Sequence, residues 1–341
     1  MDDGTRVGLV GLNDRAARLL LPGLVAAPRA RLSAVCSRDL AKAKATATRL
    51  GEHVRTFNNW EEMAQSGVVD AVFVNTPAAT HHEVCAGVIA AGVAVICEKP
   101  LATDTAAAAD LVARAAAAGV RTAVNFTYRS VAAYRLTERL LAQGAIGRTL
   151  HAEIALLQGH NFFPGFPRAS ALLDSGVHLF DALLGLSDAA GAGAVAAVCA
   201  APMQPRGVPD FGWAFTARSD RGMVVAALFS RSGLGWQNGW RWSFYGEEGA
   251  LTVEADGERV EARLARRGDG RPQGVWRPVE VPADIQADEA HFPTFHMDRL
   301  VGAVRGEEPF PGFQEAVATH YLADAVSESA AAGRWQPVSR G

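Results

Sequence analysis

Short apolar runs that end in a turn and lead into stretches of helical spacing dominate the first third of the chain. Residues 6–10 (Arg6, Val7, Gly8, Leu9, Val10) form the first such run, which breaks at Gly11 before Arg15 to Val25 takes up helical spacing. The rhythm repeats with strands predicted over 31–36, 71–75, 93–97 and 121–126 and helices over 40–50, 82–91 and 105–118. Alternation of this kind predicts a parallel, doubly wound sheet. Near Asn125 the rhythm changes. A helix over 131–143 precedes alternating runs at 150–157, 213–217, 223–230 and 240–245, joined by short polar turns such as 219–222. That pattern predicts a large, open, mainly antiparallel sheet, with the Ala/Gly stretch 189–197 as a loop leading into one of its strands. The expected fold class is α/β: a doubly wound domain over 1–124 and an α+β domain over 125–341.

The 341 residues favour two domains over one core. A formal net charge of -3, with both signs interspersed, gives no broad positive field and so excludes a nucleic-acid or membrane-surface partner. Cys36, Cys85, Cys97 and Cys199 lie far apart, and three sit in or beside apolar runs, which suits reduced thiols in a cytoplasm. The start, with Asp2 and Asp3 leading into a strand, lacks the pattern of an export signal, and no apolar run reaches spanning length. Lysine occurs only at Lys42, Lys44 and Lys99 among 33 basic residues. Two of these positions recur below.

A strand that feeds a helix through a glycine turn aims backbone N–H groups and the positive helix end at a dinucleotide pyrophosphate. Gly11, Leu12 and Asn13 would be the backbone beside it: Gly11 supplies the tight turn, Asn13 stands where a second glycine is usual, and Ala16 replaces the third. About twenty residues on, where an acidic side chain would take the ribose 2′-hydroxyl of NAD, stand Ser37 and Arg38, and Lys42 follows one helical turn later. A hydroxyl and two cations suit a 2′-phosphate, so NADP(H) is the expected cofactor, with NAD(H) open because Asp39 could serve a ribose or cap the helix.

Glu98, Lys99 and Pro100 follow the apolar strand directly, at the sheet edge where ligands of such folds bind, and the proline bond there is a candidate for the cis form. With Thr76, Pro77 and His81 after the preceding strand, Tyr128 and Arg129 at the crossover, Asp174, Gly176, His178 and Asp181 in the second domain, and residues 246–249 and the final helices, the chain resembles the glucose-fructose oxidoreductase/inositol dehydrogenase/rhizopine catabolism (Gfo/Idh/MocA) family over essentially its whole length. The resemblance implies a Rossmann domain, a hydride transfer on a small polyhydroxylated substrate, and a homodimer or homotetramer formed through the second sheet. It also implies that Thr76, Pro77, His81, Glu98 and Lys99 line the cofactor. Lys99 would contact the reacting hydroxyl, His178 would exchange the proton, Asp174 would orient substrate or imidazole, and Tyr128 and Arg129 would line the substrate cleft. The chemistry of the residues agrees, because removing hydride from a carbinol requires loss of the hydroxyl proton in the same event, and an imidazole beside a cation serves both needs. On a helix, Asp174 and His178 share a face, so the carboxylate could steady the ring, whereas Asp181 could be structural only.

The family's usual glycine run before the acid is replaced by Ala169, Ser170 and Ala171, preceded by the aromatic loop His160, Asn161, Phe162, Phe163, Pro164, Gly165, Phe166, Pro167 and Arg168, a possible pocket wall. No tyrosine has a lysine four residues later, which excludes the short-chain dehydrogenase dyad. No Cys/His set has zinc spacing, His291 and His296 included, so a metal-free mechanism is expected. Two other readings stay open: an NAD-dependent glycosidase of the same family, and a cofactor-sensing protein resembling its galactose-pathway repressor of yeasts.

Overall fold

The computed structural model describes residues 4–159, 171–203, 212–257, 259–268, 270–271 and 274–339. The chain forms two compact units, one of Met1–Thr127 with His291–Ala318, the other of Tyr128–Ala290 with Thr319–Gly341.

The first unit holds six parallel strands, β1 (Thr5–Val10), β2 (Ala30–Cys36), β3 (Arg55–Phe57), β4 (Ala71–Val74), β5 (Ala94–Cys97) and β6 (Thr122–Val124), in the order β3-β2-β1-β4-β5-β6. Helices α1 (Leu21–Ala26), α2 (Leu40–Leu50), α3 (Trp60–Gln65), α4 (His81–Ala90) and α5 (Thr105–Ala118) connect them. β4 is buried at every position, as a parallel strand covered on both faces must be. The order reverses between β1 and β4, which opens a crevice at their carboxyl ends. The predicted strands and helices stand within a few residues of their expected ends; β3 and α3 are too short for periodicity to reveal. The helix expected over 15–25 is not regular, because Ala16–Leu20 forms a π-turn just before Pro22. A proline inside a helix lacks an N–H and crowds the preceding turn, and the wider turn relieves both.

Residues 291–318, expected in the second domain, fold instead with the first. Their helix α9 (Phe292–Arg305) buries Met297, Leu300 and Val301 in one core cluster with Leu20 and Leu24 of the glycine-turn helix. At Gly23 a Cβ would sit 2.5 Å from Pro293 O, so only glycine permits this approach. Arg29 N donates to Asp298 Oδ1 at 2.8 Å, and Val124 N to Pro311 O at 2.8 Å. Periodicity shows that α9 is a helix but not which core it serves.

The second unit is a nine-stranded sheet, β7 (Thr149–Leu157), β8 (Val195–Met203), β9 (Gly212–Ser219), β10 (Val224–Ser230), β11 (Gly239–Gly246), β12 (Gly249–Asp256), β13 (Arg259–Arg266), β14 (Arg277–Val279) and β15 (Gln336–Pro337), in the order β14-β13-β12-β11-β7-β10-β9-β8-β15. Every described pairing is antiparallel except β7 with β10. Helices α6 (Ala132–Ala142), α7 (Val177–Ala189), α8 (Ala283–Ala290) and the later part of α10 (Phe313–Ala332) contribute Leu136, Leu183, Ile285 and Leu322 to the core on one face, with Ile154, Trp240 and Phe244 from the sheet. Trp242 Nε1 donates to the buried Thr137 Oγ1 at 2.8 Å, tying β11 to α6.

Candidate active site

In the first unit, the turn after β1 has the form a pyrophosphate needs. Gly11 has φ +96°, and a Cβ there would lie 2.4 Å from Asn75 O, so no other residue fits. Asn13 does more than tolerate the turn: its Oδ1 accepts from Ala16 N at 2.9 Å and from Asn75 Nδ2 at 3.1 Å, while Asn75 Nδ2 also donates to Gly11 O at 2.8 Å. The missing second glycine is thus replaced by a helix cap that takes up one N–H and stitches the turn to the end of β4.

At the end of β2, Asp39 is the cap of α2, its Oδ1 accepting from Lys42 N at 3.1 Å. Ser37 Oγ accepts from Asp39 N at 3.2 Å. Arg38 and Lys42 are exposed, and among the described residues neither side chain makes a hydrogen bond or ion pair. Asp39 Oδ1 is engaged in the cap, and two cations stand exposed beside it.

After β4, Thr76 Oγ1 is buried without a hydrogen-bond partner among the described residues, and Pro77 follows it. His81, at the start of α4, places Nε2 2.9 Å from Thr76 O and Nδ1 2.8 Å from Pro100 O, so one buried ring ties the two segments that follow β4 and β5. The Lys99–Pro100 bond is cis, and Lys99 is half-buried. Beside it, Glu98 Oε1 accepts from Arg15 Nε at 2.8 Å and from Asn125 Nδ2 at 2.6 Å. Asn125 Oδ1 in turn lies 2.5 Å from His296 Nε2.

In the second unit, His178 is only 8% exposed and meets Tyr128 edge to face, ring centroids 4.8 Å apart. Trp240 closes on Tyr128 at 4.9 Å. Asp174 lies in a π-turn over Leu172–Gly176 that runs on into α7. Because an i→i+5 turn leaves a residue four places on short of a full turn, the shared helical face expected for Asp174 and His178 is skewed. Arg231, directly after β10, donates from Nη2 to Asp174 Oδ2 at 2.9 Å. Arg129 grips Asp181 through two parallel bonds of 2.8 and 2.9 Å and also meets the Tyr134 hydroxyl. Burial works against its charge, but Asp181, Tyr134 and Glu138 hold its pKa above the ordinary arginine value. Asp181 is therefore the anchor of Arg129. The aromatic loop 160–168, with Ala169 and Ser170, lies outside the described residues.

Residues 5–126 match the family model GFO_IDH_MocA, the oxidoreductase family with an NAD-binding Rossmann fold. Over those residues the chain is similar to the Gfo/Idh/MocA oxidoreductase family. It is 29% identical over 348 residues to the dTDP-3,4-didehydro-2,6-dideoxy-alpha-D-glucose 3-reductase of Streptomyces violaceoruber, covering 95% of each chain. It is 32% identical over 212 residues to the 1,5-anhydro-D-fructose reductase of Ensifer adhaerens, which covers 60% of this chain and 63% of that one. Levoglucosan dehydrogenase in complex with NADH has the same fold, with a TM-score of 0.85 at 21% identity over 99% of this chain and 100% of the other.

The first unit has features that suit a dinucleotide: a glycine turn that only glycine permits, a buried Thr76 hydroxyl with no partner among the described residues, and two cations after β2 that are unpaired among them. Among the described residues no group of three His, Cys, Asp or Glu is placed to hold a metal ion, and no helix is long and apolar enough to cross a membrane. Arg15, Asn125, Arg231, Trp240 and His296 join the site without having been expected there from the sequence. Arg231 directly follows a predicted strand end, the same signal that marked Glu98, whereas Asn125 lies inside the predicted strand 121–126, which in the structure ends at Val124, and His296 carries no such signal.

His296 predicts an acid sensitivity. Burial, with Arg299 and Arg15 nearby, pushes its pKa down from 6.5 to about 3. The folded state therefore refuses a proton that the unfolded chain accepts, so stability is intact above pH 6.5 and falls as pH drops toward 3. Between pH 7.5 and 5 this costs about 2 kcal/mol. Urea unfolding at the two pH values is expected to show that loss in the wild type but not in His296→Gln; equal losses would remove His296 as its source.

Proposed function

We propose that this protein is a cytoplasmic, NADP(H)-dependent oxidoreductase that moves a hydride to or from a carbinol carbon of a sugar, aminosugar or cyclitol. The observation that carries this reading is that one chain similar to this family holds both the Glu98–Lys99–Pro100 turn at the end of β5 and the contact between the half-buried Tyr128 and the buried His178. The names of relatives, a dTDP-sugar 3-reductase and an anhydrofructose reductase, support the substrate class. The four cysteines are free thiols, three of them buried, which supports a reducing compartment.

Bound at Gly11, Leu12, Asn13, Thr76, Pro77 and His81, the cofactor would supply the hydride acceptor or donor. Lys99 holds the reacting hydroxyl by donating to it, which favours the alkoxide. His178 exchanges that hydroxyl's proton, and Asp174, fixed by Arg231, orients the substrate or the imidazole. Tyr128, backed by the buried Trp240, gives the sugar's C–H face an apolar wall. A second copy of this chain would cover the outward face of the second sheet, where Ala155, Ala214, Ala226 and Ser243 are small enough for close approach. Turnover of NADPH or NADP⁺ against a panel of nucleotide sugars, free sugars and cyclitols tests the reading. Tight cofactor binding with no turnover of any of them would favour the sensing protein instead.

The cofactor preference has its own test. A guanidinium on a 2′-phosphate contributes about 1.5–3 kcal/mol, so Arg38→Ala is expected to weaken NADPH binding about tenfold to a hundredfold and leave NADH almost unchanged. Fluorescence titration decides: a wild type that prefers NADH, or a variant that loses both equally, reverses the assignment.

A further inference from the structure

We infer that His296, working through Asn125, is a positioning residue for Glu98, and that α9 returns to the first unit to bring it there. The inference rests on the reading of the Glu98–Lys99 turn as the cofactor side of the reaction.

The three side chains are nearly sealed from solvent, with Asn125 at 0%, His296 at 2% and Glu98 at 5% exposure. Their hydrogen bonds have only one consistent direction. A carboxylate oxygen can only accept, so Asn125 must present its Nδ2 to Glu98 Oε1, 2.6 Å away. That turns Asn125 Oδ1, an acceptor, toward His296, and His296 Nε2 must carry the proton it donates across 2.5 Å. His296 is packed between Phe292, stacked at 5.6 Å, and Phe310 at 5.8 Å, so the ring cannot turn away. Arg15 donates to the same carboxylate oxygen from the other side at 2.8 Å. Both donors thus hold Oε1, and Oε2 makes no hydrogen bond among the described residues. A core meant only for stability would fill this space with apolar side chains, because a buried polar set is costly unless every member is satisfied. Here the set fixes one oxygen of Glu98, leaves the other for a ligand, and sets the backbone from which Lys99 extends.

Two measurements test this. In protein labelled with ¹⁵N-histidine, the His296 signals, assigned by their loss in His296→Phe, should show a neutral ring protonated at Nε2 and unchanged from pH 8 to pH 5. A ring protonated at Nδ1, or an imidazolium at pH 6, would overturn the inference on the wild type alone, whatever the variants do. The second measurement is a double-mutant cycle read by stopped-flow hydride transfer. His296→Phe keeps the ring stack but loses the donor and should slow hydride transfer about tenfold, as loss of an outer-shell partner commonly does. His296→Gln, which keeps a donor, should stay within about threefold of the wild type. In a Glu98→Ala background, where the carboxylate it positions is gone, His296→Phe should then cost almost nothing. An undiminished tenfold loss in that background would mean that His296 acts on stability or elsewhere, and full activity of His296→Phe would end the proposal. If the wild type turns over no sugar or cyclitol, the proposed function fails on its own; the same cycle is then read on NADPH affinity, where additivity overturns the inference and coupling supports it.

Discussion

Lys99→Arg is expected to bind NADPH at near wild-type affinity and yet to transfer hydride almost as slowly as Lys99→Ala, about a hundredfold or more below the wild type. The chain places arginine at nearly every basic position and keeps lysine at three, one of them here. Lys99 extends from a backbone fixed on both sides, by Glu98 in its hydrogen-bonded clasp and by Pro100, whose carbonyl faces the His81 ring at 2.8 Å. A compact ammonium on such a base can lie between a ribose hydroxyl and a substrate hydroxyl and donate to both. A guanidinium keeps the charge but adds a rigid planar fork, and the rigid turn cannot retreat to make room. The excess bulk falls on the reacting carbon, where a displacement near 1 Å costs about a hundredfold. Stopped-flow hydride transfer beside a cofactor titration separates the two effects. A Lys99→Arg protein that keeps most of its rate would show that only the positive charge matters, whereas one that loses cofactor affinity in step with rate would place Lys99 in binding.

What the sequence made legible follows from the range over which each signal acts. The strand, turn and helix after Gly11, the buried strand before Glu98 and the alternating runs of the second sheet are local patterns, and the structure has them within a few residues. Asn13, by contrast, reads in the sequence as a tolerated glycine replacement. Its part as a cap stitched to Asn75 depends on a contact 62 residues away. The same limit governs Glu98. Its motif is visible, but of the partners that hold it, Arg15 lies 83 residues off and Asn125 27, and His296 reaches Asn125 across 171. Long-range pairing of this kind leaves no trace in composition or spacing, which is why α9 was expected in the wrong domain. In the second unit, spacing brings Asp174 and His178 onto one helical face, and the π-turn that skews it cannot be foreseen from residues whose own propensities are ordinary. Arg231 was within reach, since it directly follows the predicted strand 223–230.

His178→Asn is expected to lower turnover by about a hundredfold to ten-thousandfold while cofactor affinity survives, the effect of removing a positioned acid or base. Asparagine keeps a polar side chain of modest size but has no group that exchanges a proton near neutral pH. The surroundings of His178 narrow its role. Tyr128 presses on it at right angles, and Tyr128 is itself backed by Trp240, so the ring has little freedom to turn. Asp174 is bound by Arg231, a buried cation that holds the carboxylate in place. A ring fixed in orientation on the same element as an anchored carboxylate suits proton exchange at one nitrogen better than a role in packing, which an asparagine would disturb mainly through stability. The residues proposed for the cofactor all belong to the first unit and His178 to the second, so a true proton-exchange role predicts a split: cofactor dissociation constants unchanged, single-turnover hydride transfer slowed. Loss of both would indicate misfolding, which a thermal melt reads directly. Undiminished turnover with an intact fold would transfer the proton to another group, and the Tyr128 hydroxyl is the next to test, by Tyr128→Phe, since that change keeps the wall against Trp240 and removes only the exchangeable proton.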